Sequence, residues 1–340
     1  MGETIRVLLS FPPPRAVYNP YTIMLTEAVA KIPDVTAVNF SWSRALRGGY
    51  DVFHVHWPEI LVSGHSRVKE AVRQVLFVGF MGRMQLTGVP IVRTVHNLER
   101  PEGLSRRQAA LLDWMDRRTE VWICLNDATP LTRGAVRETI PHGDYIEWFA
   151  PYPRSRTRRG QVAYFGRIRR YKGVERLIGA FLGLDEGKVG PSRLLVGGLP
   201  STEELKDDLT ELAMGDGRVA FSWGFQSDSD VVAAVTSSEL VALPYVSMHN
   251  SGAVLAALSL ATPVLVPENE VNSALSAEVG AGWVHTFSGE LTSDAIEQAL
   301  LEVRAVAFTA PPDLAGRDWS RLAQAHVDVY RRALGVEDRD

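Results

Sequence analysis

Cysteine is almost absent from this sequence: Cys124 stands alone among 340 residues. That excludes an intrachain disulfide and fits a reducing compartment. Within the apolar run VWICL the thiol is expected to be a core group. A surplus of positive charge is also lacking. The net charge of -4 argues against nucleic acid as a partner, because a phosphate backbone requires a strong basic excess. Long hydrophobic runs are missing too. The longest apolar region, VLFVGFMGRM, is interrupted by Arg83 and cannot cross a bilayer. The apolar run at the N-terminus is too short for the core of a signal peptide, so a cytoplasmic chain is expected. There is no D-x-D motif and no ligand-spaced set of His, Asp and Glu, so no metal site is expected, and the His54/His56 pair is a weak metal signal by itself. The loop after the first strand lacks G-x-G-x-x-G, which argues against a dinucleotide-binding dehydrogenase.

What is present is a recurring alternation of short Val- and Ile-rich runs with stretches of helical period. IRVLLSF, AVNF, DVFHVHW, IVRTVHN and VWICL are the strands expected in the first half, with helices over 21–31, 66–86 and 105–118. QVAYFGR, RLLVGG, VAFSWG, LVALPY and PVLVP begin the pattern again, with helices near 173–184, 202–213, 228–236, 252–260 and 292–307. Continuous apolar strands suit parallel sheets covered on both faces. The expected fold is therefore α/β: two doubly wound, Rossmann-like domains facing one another across a cleft. The first covers 1–150, the proline- and arginine-rich PYPRSRTRRG forms a linker over 151–160, and the second covers 161–312. Residues 313–340 are a final helix, expected to cross back to the first domain, and a tail.

Open parallel sheets bind ligands beyond the carboxyl ends of their strands, so the residues just after each strand carry the functional reading. In YFGRIRRYKGVERLIGAF a strand turns through Gly166 into a helix after Gly173, with Arg167 and Lys172 flanking the loop. Glycines and basic groups at a helix entrance suit a diphosphate. In LPYVSMHNSGAVLAALSLATPVLVP, Asn250 or Ser251 caps an apolar helix, and Gly252 leaves its first N–H groups uncovered.

These two segments together resemble the donor-binding half of GT-B glycosyltransferases, above all the GT4-like group. The G-R…K-G pattern matches Gly166, Arg167, Lys172 and Gly173, and A-x-G-x-P-V is approximated by SLATPV at 259–264. DVFHVHWPE, IVRTVHNLE and IPHGDY look like the family's D-V-x-H-x-H, T-x-H-[DN] and I-P-x-G segments, so the resemblance spans nearly the whole chain. One departure stands out. The two acidic positions of the family's E-x7-E pattern fall on Met248 and Ala256, and H-N-S-G-A looks closer to bacterial exopolysaccharide transferases.

The resemblance implies transfer of a sugar from a nucleotide diphosphate sugar, used as co-substrate without a cofactor or bound cation, to a lipid-linked or saccharide acceptor. It places the donor diphosphate at Gly166, Arg167, Lys172, Ser251 and Gly252, with Asn250, Glu268 and Asn269 near the sugar and nucleoside. His96 is the catalytic candidate by its family position. An inverting reaction needs a carboxylate, for which Glu59 is the first choice ahead of Glu99 and Asp144. A retaining reaction instead lets the leaving phosphate accept the proton while His96 stabilises the sugar, and both stay open. Tyr18, Asn19, His56, Asn97 and Asp144 complete the acceptor side. The helix over 66–86 mixes basic and apolar residues. Packing on the sheet with a solvated charged face is its first reading, and peripheral contact with the inner face of the plasma membrane its second. Two rival functions stand beside transfer: a catalytically degenerate GT-B domain that only binds a sugar nucleotide, and a nucleotide-sugar epimerase.

Overall fold

The computed structural model describes residues 4–13 and 19–336 and divides into two compact units. Unit 1 comprises residues 1–143 and 317–340, and unit 2 comprises 144–316. The chain thus leaves the first unit at Gly143, and residues 151–160 already belong to the second.

Unit 1 is built on β1 (Ile5–Leu9), β2 (Val35–Asn39), β3 (Val52–Val55), β4 (Ile91–Val95), β5 (Thr119–Cys124) and β6 (Val136–Thr139). All pair in parallel, in the order β2-β1-β3-β4-β5-β6. Side chains alternate across a strand, and this sheet has a core on each face. Val7 and Leu9 face one core with Leu25 and Val29 of the helix Pro20–Ala30, and Leu322, Val327 and Tyr330 of the helix Trp319–Ala333. Leu8, Phe53 and Val55 face the other, against Phe77, Phe80, Met81 and Met84 of the helix Arg67–Thr87. The C-terminal helix therefore returns to unit 1, as its sequence implied.

Unit 2 repeats the plan with β7 (Arg158–Phe165), β8 (Arg193–Gly198), β9 (Val219–Trp223), β10 (Ser238–Ala242), β11 (Val264–Pro267) and β12 (Val284–Phe287). Their order is β12-β11-β10-β7-β8-β9, again parallel throughout. Each sheet gains one strand beyond the sequence expectation, β6 and β12. Both have four residues, and β6 is largely exposed, so pairing to a neighbour rather than hydrophobic pattern makes it a strand. The helix Glu270–Val279, also unexpected, buries Asn272, Leu275 and Val279 at helical spacing after Asn269 caps it.

Among the described residues no helix is long and apolar enough to cross a membrane. The helix Arg67–Thr87 packs on the sheet as expected, yet its outward face is not the charged one foreseen. Val68, Val72, Val75, Val78 and Leu86 are exposed there, Val75 at 71% and Leu86 at 89%.

Candidate functional site

Strand order locates the crevices. In a doubly wound sheet the ligand site opens where consecutive connections leave in opposite directions. In unit 1 that point lies between β1 and β3, and in unit 2 between β7 and β10.

In unit 1 the β3 end carries His54 and His56, two residues apart and on one face. Their roles differ. His54 is fully buried, with Nδ1 2.7 Å from the Tyr330 hydroxyl and Nε2 2.8 Å from Thr94 Oγ1, so it ties the C-terminal helix to β4. His56 lies at the strand's carboxyl end, its backbone N–H donating to Ser10 Oγ at 3.0 Å beyond β1. Its Nδ1 is 2.9 Å from Nε2 of His96, which follows β4. Among the described residues Nε2 of His56 is buried without a partner. Orphaned buried N–H groups are rarer than orphaned acceptors, which assigns the proton to Nδ1 of His56, donating to His96. Trp57 stacks on the His96 ring at 4.2 Å, and Tyr21 meets His56 and His96 edge-on and His142 at a tilt.

Burial keeps this cluster uncharged. The pKa of His54 and of His56 is held well below 6.5 by desolvation first and by neighbouring imidazoles second. Desolvation also lowers His96 to about 3, and His142 and His326 to about 4. These are hydrogen-bonding neutral rings, poorly suited to take a proton.

Beside the pair is a cavity of about 170 Å³ lined by His56, Trp57, Glu59, Arg93, His96 and Asn97, among others. Glu59 opens the short helix Glu59–Val62, and burial raises its pKa against the opposing pull of Arg93. Arg93 pairs with Asp116 and lies over the Trp122 ring at 4.9 Å. Four residues expected on this side thus converge: Glu59, His56, His96 and Asn97, with Glu99 on the same wall. Three do not. Asn19 spends its side chain capping the helix Pro20–Ala30, accepting from Tyr21 N at 3.1 Å. Asp144 belongs to unit 2, where its Oδ1 accepts from Ile146 N at 2.8 Å. Tyr18 lies outside the described residues. Arg93 and Trp122 were missed because both sit inside strands that read as core.

In unit 2 the crevice is defined by backbone contact. Gly173 has φ +65°, and a Cβ there would meet Pro244 O at 2.2 Å, so the loops after β7 and β10 touch. Gly166 adopts φ +114°, and its carbonyl lies where a Cβ on Gly198 would be, 1.9 Å away. Only glycine permits these approaches. Lys172 Nζ donates to the Tyr245 hydroxyl at 2.9 Å and lies 4.3 Å from that ring's centroid. Burial lowers the lysine pKa and raises that of Tyr245, whose hydroxyl also bonds Ser251. Ser251 in turn caps the helix Gly252–Ser259. The segment Lys172–Gly173 and the Ser251–Gly252 step therefore converge through Tyr245, a residue read in the sequence only as a strand end. Two helices, Val174–Leu182 and Gly252–Ser259, begin here with free N–H groups suited to an anion.

The arginines of this loop are not equivalent. Arg170 is occupied by Glu175, Glu204 and Asp208, whereas the exposed Arg167 and Arg169 have no side-chain partner among the described residues. Asn269 serves the loop itself. Its Oδ1 caps the helix Glu270–Val279 and its Nδ2 donates to Met248 O at 3.0 Å, while Asn272 Nδ2 donates to Met248 Sδ at 3.4 Å. Met248, at an acidic position of the family pattern, is thus a buried anchor held by two asparagines. Glu268 is exposed and accepts from the Ser288 hydroxyl. Among the described residues no group of three or more His, Cys, Asp and Glu is placed to hold a metal ion.

Comparison with known proteins agrees with this fold. Residues 151–304 match the family model described as glycosyl transferases group 1. Over 334 residues the chain is 39% identical to the GDP-mannose:glycolipid 4-beta-D-mannosyltransferase of Xanthomonas campestris pv. campestris, covering 98% of this chain and 94% of that one. Sucrose-phosphate synthase of Thermosynechococcus elongatus shares the fold at TM-score 0.65 and 14% identity, covering 98% and 100% of the two chains. Anabaena HepE in complex with UDP and glucose shares it at TM-score 0.59 and 14% identity, covering 97% and 98%.

Proposed function

This chain belongs to the group 1 glycosyltransferases of GT-B fold and moves a sugar from a nucleotide diphosphate sugar to a lipid-linked or polysaccharide acceptor, and we propose that the sugar is mannose, the donor GDP-mannose and the acceptor a glycolipid. The observation that carries the finer reading is the 39% identity, spread over 98% of the chain, to an enzyme of that name. The unit 2 crevice supports the coarser part of the reading, a diphosphate donor. Arg167, Lys172 and the N-terminal ends of two helices stabilise the charge that gathers on the departing diphosphate. With positive charge supplied by the protein, the reaction proceeds without a bound cation.

GDP-mannose carries its sugar in the α configuration, so a β product requires one in-line displacement with inversion and a base for the acceptor hydroxyl. Glu59 is that base. Its pKa is raised by burial toward the range where a carboxylate accepts a proton efficiently, and it shares a cavity with His56 and His96. The two histidines, neutral at physiological pH, orient hydroxyls rather than deprotonate them. The acceptor is membrane-borne, and the exposed apolar stripe of Val68, Val72, Val75, Val78 and Leu86, flanked by Arg67 and Lys69, rests on the inner face of the plasma membrane. The pathway served is exopolysaccharide assembly.

The test is transfer of labelled mannose from GDP-mannose to a glycolipid extract, with the anomeric configuration of the product read by NMR. Glu59→Gln is expected to lower turnover at least a hundredfold with GDP affinity unchanged. An α product, or an active Glu59→Gln enzyme, overturns the base assignment. Equal use of UDP-glucose overturns the donor assignment. Flotation with anionic vesicles is expected for the parent and lost in Val72→Asp/Val75→Asp.

A further inference from the structure

The donor crevice lies where the strands of unit 2 end. At the other end of the same sheet, where β7 and β8 begin, is a basin of about 900 Å³ lined by Arg156, Arg158, Arg159 and Arg193. The segment is PYPRSRTRRG, which sequence composition had marked as a linker. From Arg159 to Gly166 the strand runs roughly 20 Å, so the basin is remote from the diphosphate loop.

This is a built shelf rather than a loose basic tail. Ser155 N donates to Thr236 Oγ1 at 2.8 Å, Thr157 Oγ1 to Thr236 O at 3.1 Å, and Arg158 N to Ser237 O at 2.9 Å. Arg159 and Gln161 share a face of β7, and Arg193 on β8 is in register with Gln161. Gln161 is buried and held by Ser237 Oγ at 2.7 Å and Ser238 Oγ at 3.2 Å, which fixes the floor between the arginines.

The four guanidinium groups are uncommitted. Among the described residues none has a side-chain hydrogen bond or ion pair, and no carboxylate lines the basin. The helix Asp228–Thr236 ends here, and cations often serve such an end. Its carbonyls are already satisfied, however. Ala233 O accepts from Ser237 N, Ala234 O from the hydroxyls of Ser237 and Ser238, and Val235 O from Thr262 Oγ1. Like charges gathered without a counter-ion raise the free energy of the empty protein, and an anion of several charges removes that cost.

We propose that this arginine shelf is a second anion site of the protein, taking phosphate groups of a multivalent ligand. A guanidinium fork meets two phosphate oxygens at once, which an ammonium does not. The basin exceeds the volume of one phosphate. No aromatic side chain lines it, so it offers no stacking platform for a base, and Leu195, Ala233 and Ala234 are too little apolar surface for an acyl chain. Phosphate is therefore what the shelf recognises, whether on a soluble polyphosphate or on the headgroups of an anionic bilayer. The inference is independent of the mannosyl reading.

The test titrates tripolyphosphate into the protein by calorimetry at low salt. An Arg167→Ala/Lys172→Ala background keeps the donor crevice silent. Arg158→Gln/Arg159→Gln/Arg193→Gln is expected to weaken binding at least tenfold, and the corresponding triple change to Lys is expected to weaken it less while confirming that the fold tolerates substitution. Phosphatidylglycerol vesicles, compared with phosphatidylcholine vesicles, identify the source. Loss of flotation in the Gln variant assigns the shelf to headgroups, whereas loss of tripolyphosphate affinity alone assigns it to a soluble anion. The proposal is overturned if the parent binds neither probe, if the Gln variant equals the parent with both, or if citrate binds as tightly as tripolyphosphate.

Discussion

Units 1 and 2 have sheets of the same kind, parallel and six-stranded among the described residues, yet the carboxyl ends of those sheets carry opposite chemistry. Unit 1 gathers imidazole, indole and phenol rings into a buried, uncharged cluster around His56 and His96. Unit 2 gathers glycine, lysine and arginine around helix ends. The contrast fits the proposed division of labour, in which unit 2 takes the donor diphosphate and unit 1 the acceptor. A diphosphate arrives charged and leaves with more charge, so its site needs fixed cations and bare N–H groups. A sugar hydroxyl arrives neutral, so its site needs oriented, uncharged hydrogen-bonding groups and one carboxylate with an elevated pKa. The parallel sheet supplies only the place.

Removing charge from unit 2 tests this division most severely. Arg167→Ala with Lys172→Ala is expected to lower transfer by roughly 10³-fold or more, since one electrostatic donor in such a site is worth about 10²–10³. Nucleotide affinity, followed as thermal stabilisation by GDP, falls with it. His96→Ala in unit 1 is expected to lower transfer while leaving GDP affinity within about twofold. If His96→Ala weakened nucleotide binding as much as the double change, the separation of roles would be wrong.

The second test exploits the close approach of two backbone segments at the unit 2 crevice. Gly173→Ala forces a Cβ onto Pro244 O in a φ +65° conformation. A cost of about 2–3 kcal/mol is expected. A melting temperature within a degree of the parent would mean that the two loops separate freely.

Which parts of this were legible in the sequence depends on how local each signal is. Gly166, Lys172 and Gly173 stood out because a glycine-basic loop between a strand and a helix is a contiguous pattern. His96 and Glu59 were reachable through strand ends. Tyr245, Arg93 and Trp122 were not, because their roles arise from residues far away in the chain: Tyr245 meets Lys172 73 positions earlier, and Arg93 meets Asp116 23 positions later. Asn269 was read as a ligand group, but its amide is consumed by Met248 and Asn272. Sequence position placed Asn269 just after a strand and could not say where its side chain was spent. The strand β6 escaped for a related reason, since its four residues lack a pattern and gain one only from β5.

Acidification separates the units by pH window. His54, His56, His96, His142 and His326 of unit 1 all titrate below 6.5 when folded. Between their folded and unfolded values the unfolded chain holds more protons, so their stabilisation is complete above about pH 6.5 and is lost as pH falls. The slope reaches about 1.4 kcal/mol per pH unit for each fully buried ring. Glu59 and Glu120 oppose this, two carboxyls against five imidazoles. In unit 2 one imidazole, His249, is shifted the same way, while Glu186, Asp216, Glu297 and Glu302 are lowered by hydrogen bonds and ion pairs. Their contribution is intact down to about pH 4.5 and is lost only below it. Hydrogen exchange, corrected for intrinsic rates, should therefore show unit 1 opening between pH 6.5 and 5 while unit 2 stays protected. Equal loss of protection in both would show that the buried imidazoles are not neutral.

Tyr330→Phe is the gentlest probe and isolates one element of the contrast. The hydroxyl of Tyr330 lies 2.7 Å from Nδ1 of His54, whose other nitrogen meets Thr94, so one buried ring couples the returning helix to β4. Removing the hydroxyl leaves that nitrogen buried and unpaired, at a cost of about 1–3 kcal/mol. The loss belongs to unit 1 alone, because His54, Thr94 and Tyr330 all lie there. Transfer should stay within about twofold, since His54 does not line the cavity beside His56. Thermal unfolding followed together with turnover checks both halves. Reduced stability with retained turnover makes His54 a fastener of the C-terminal helix. A large loss of turnover at unchanged stability would instead place His54 in the reaction, and the hydrogen-bonded chain from Tyr330 to Thr94 would have to be read as part of the acceptor site.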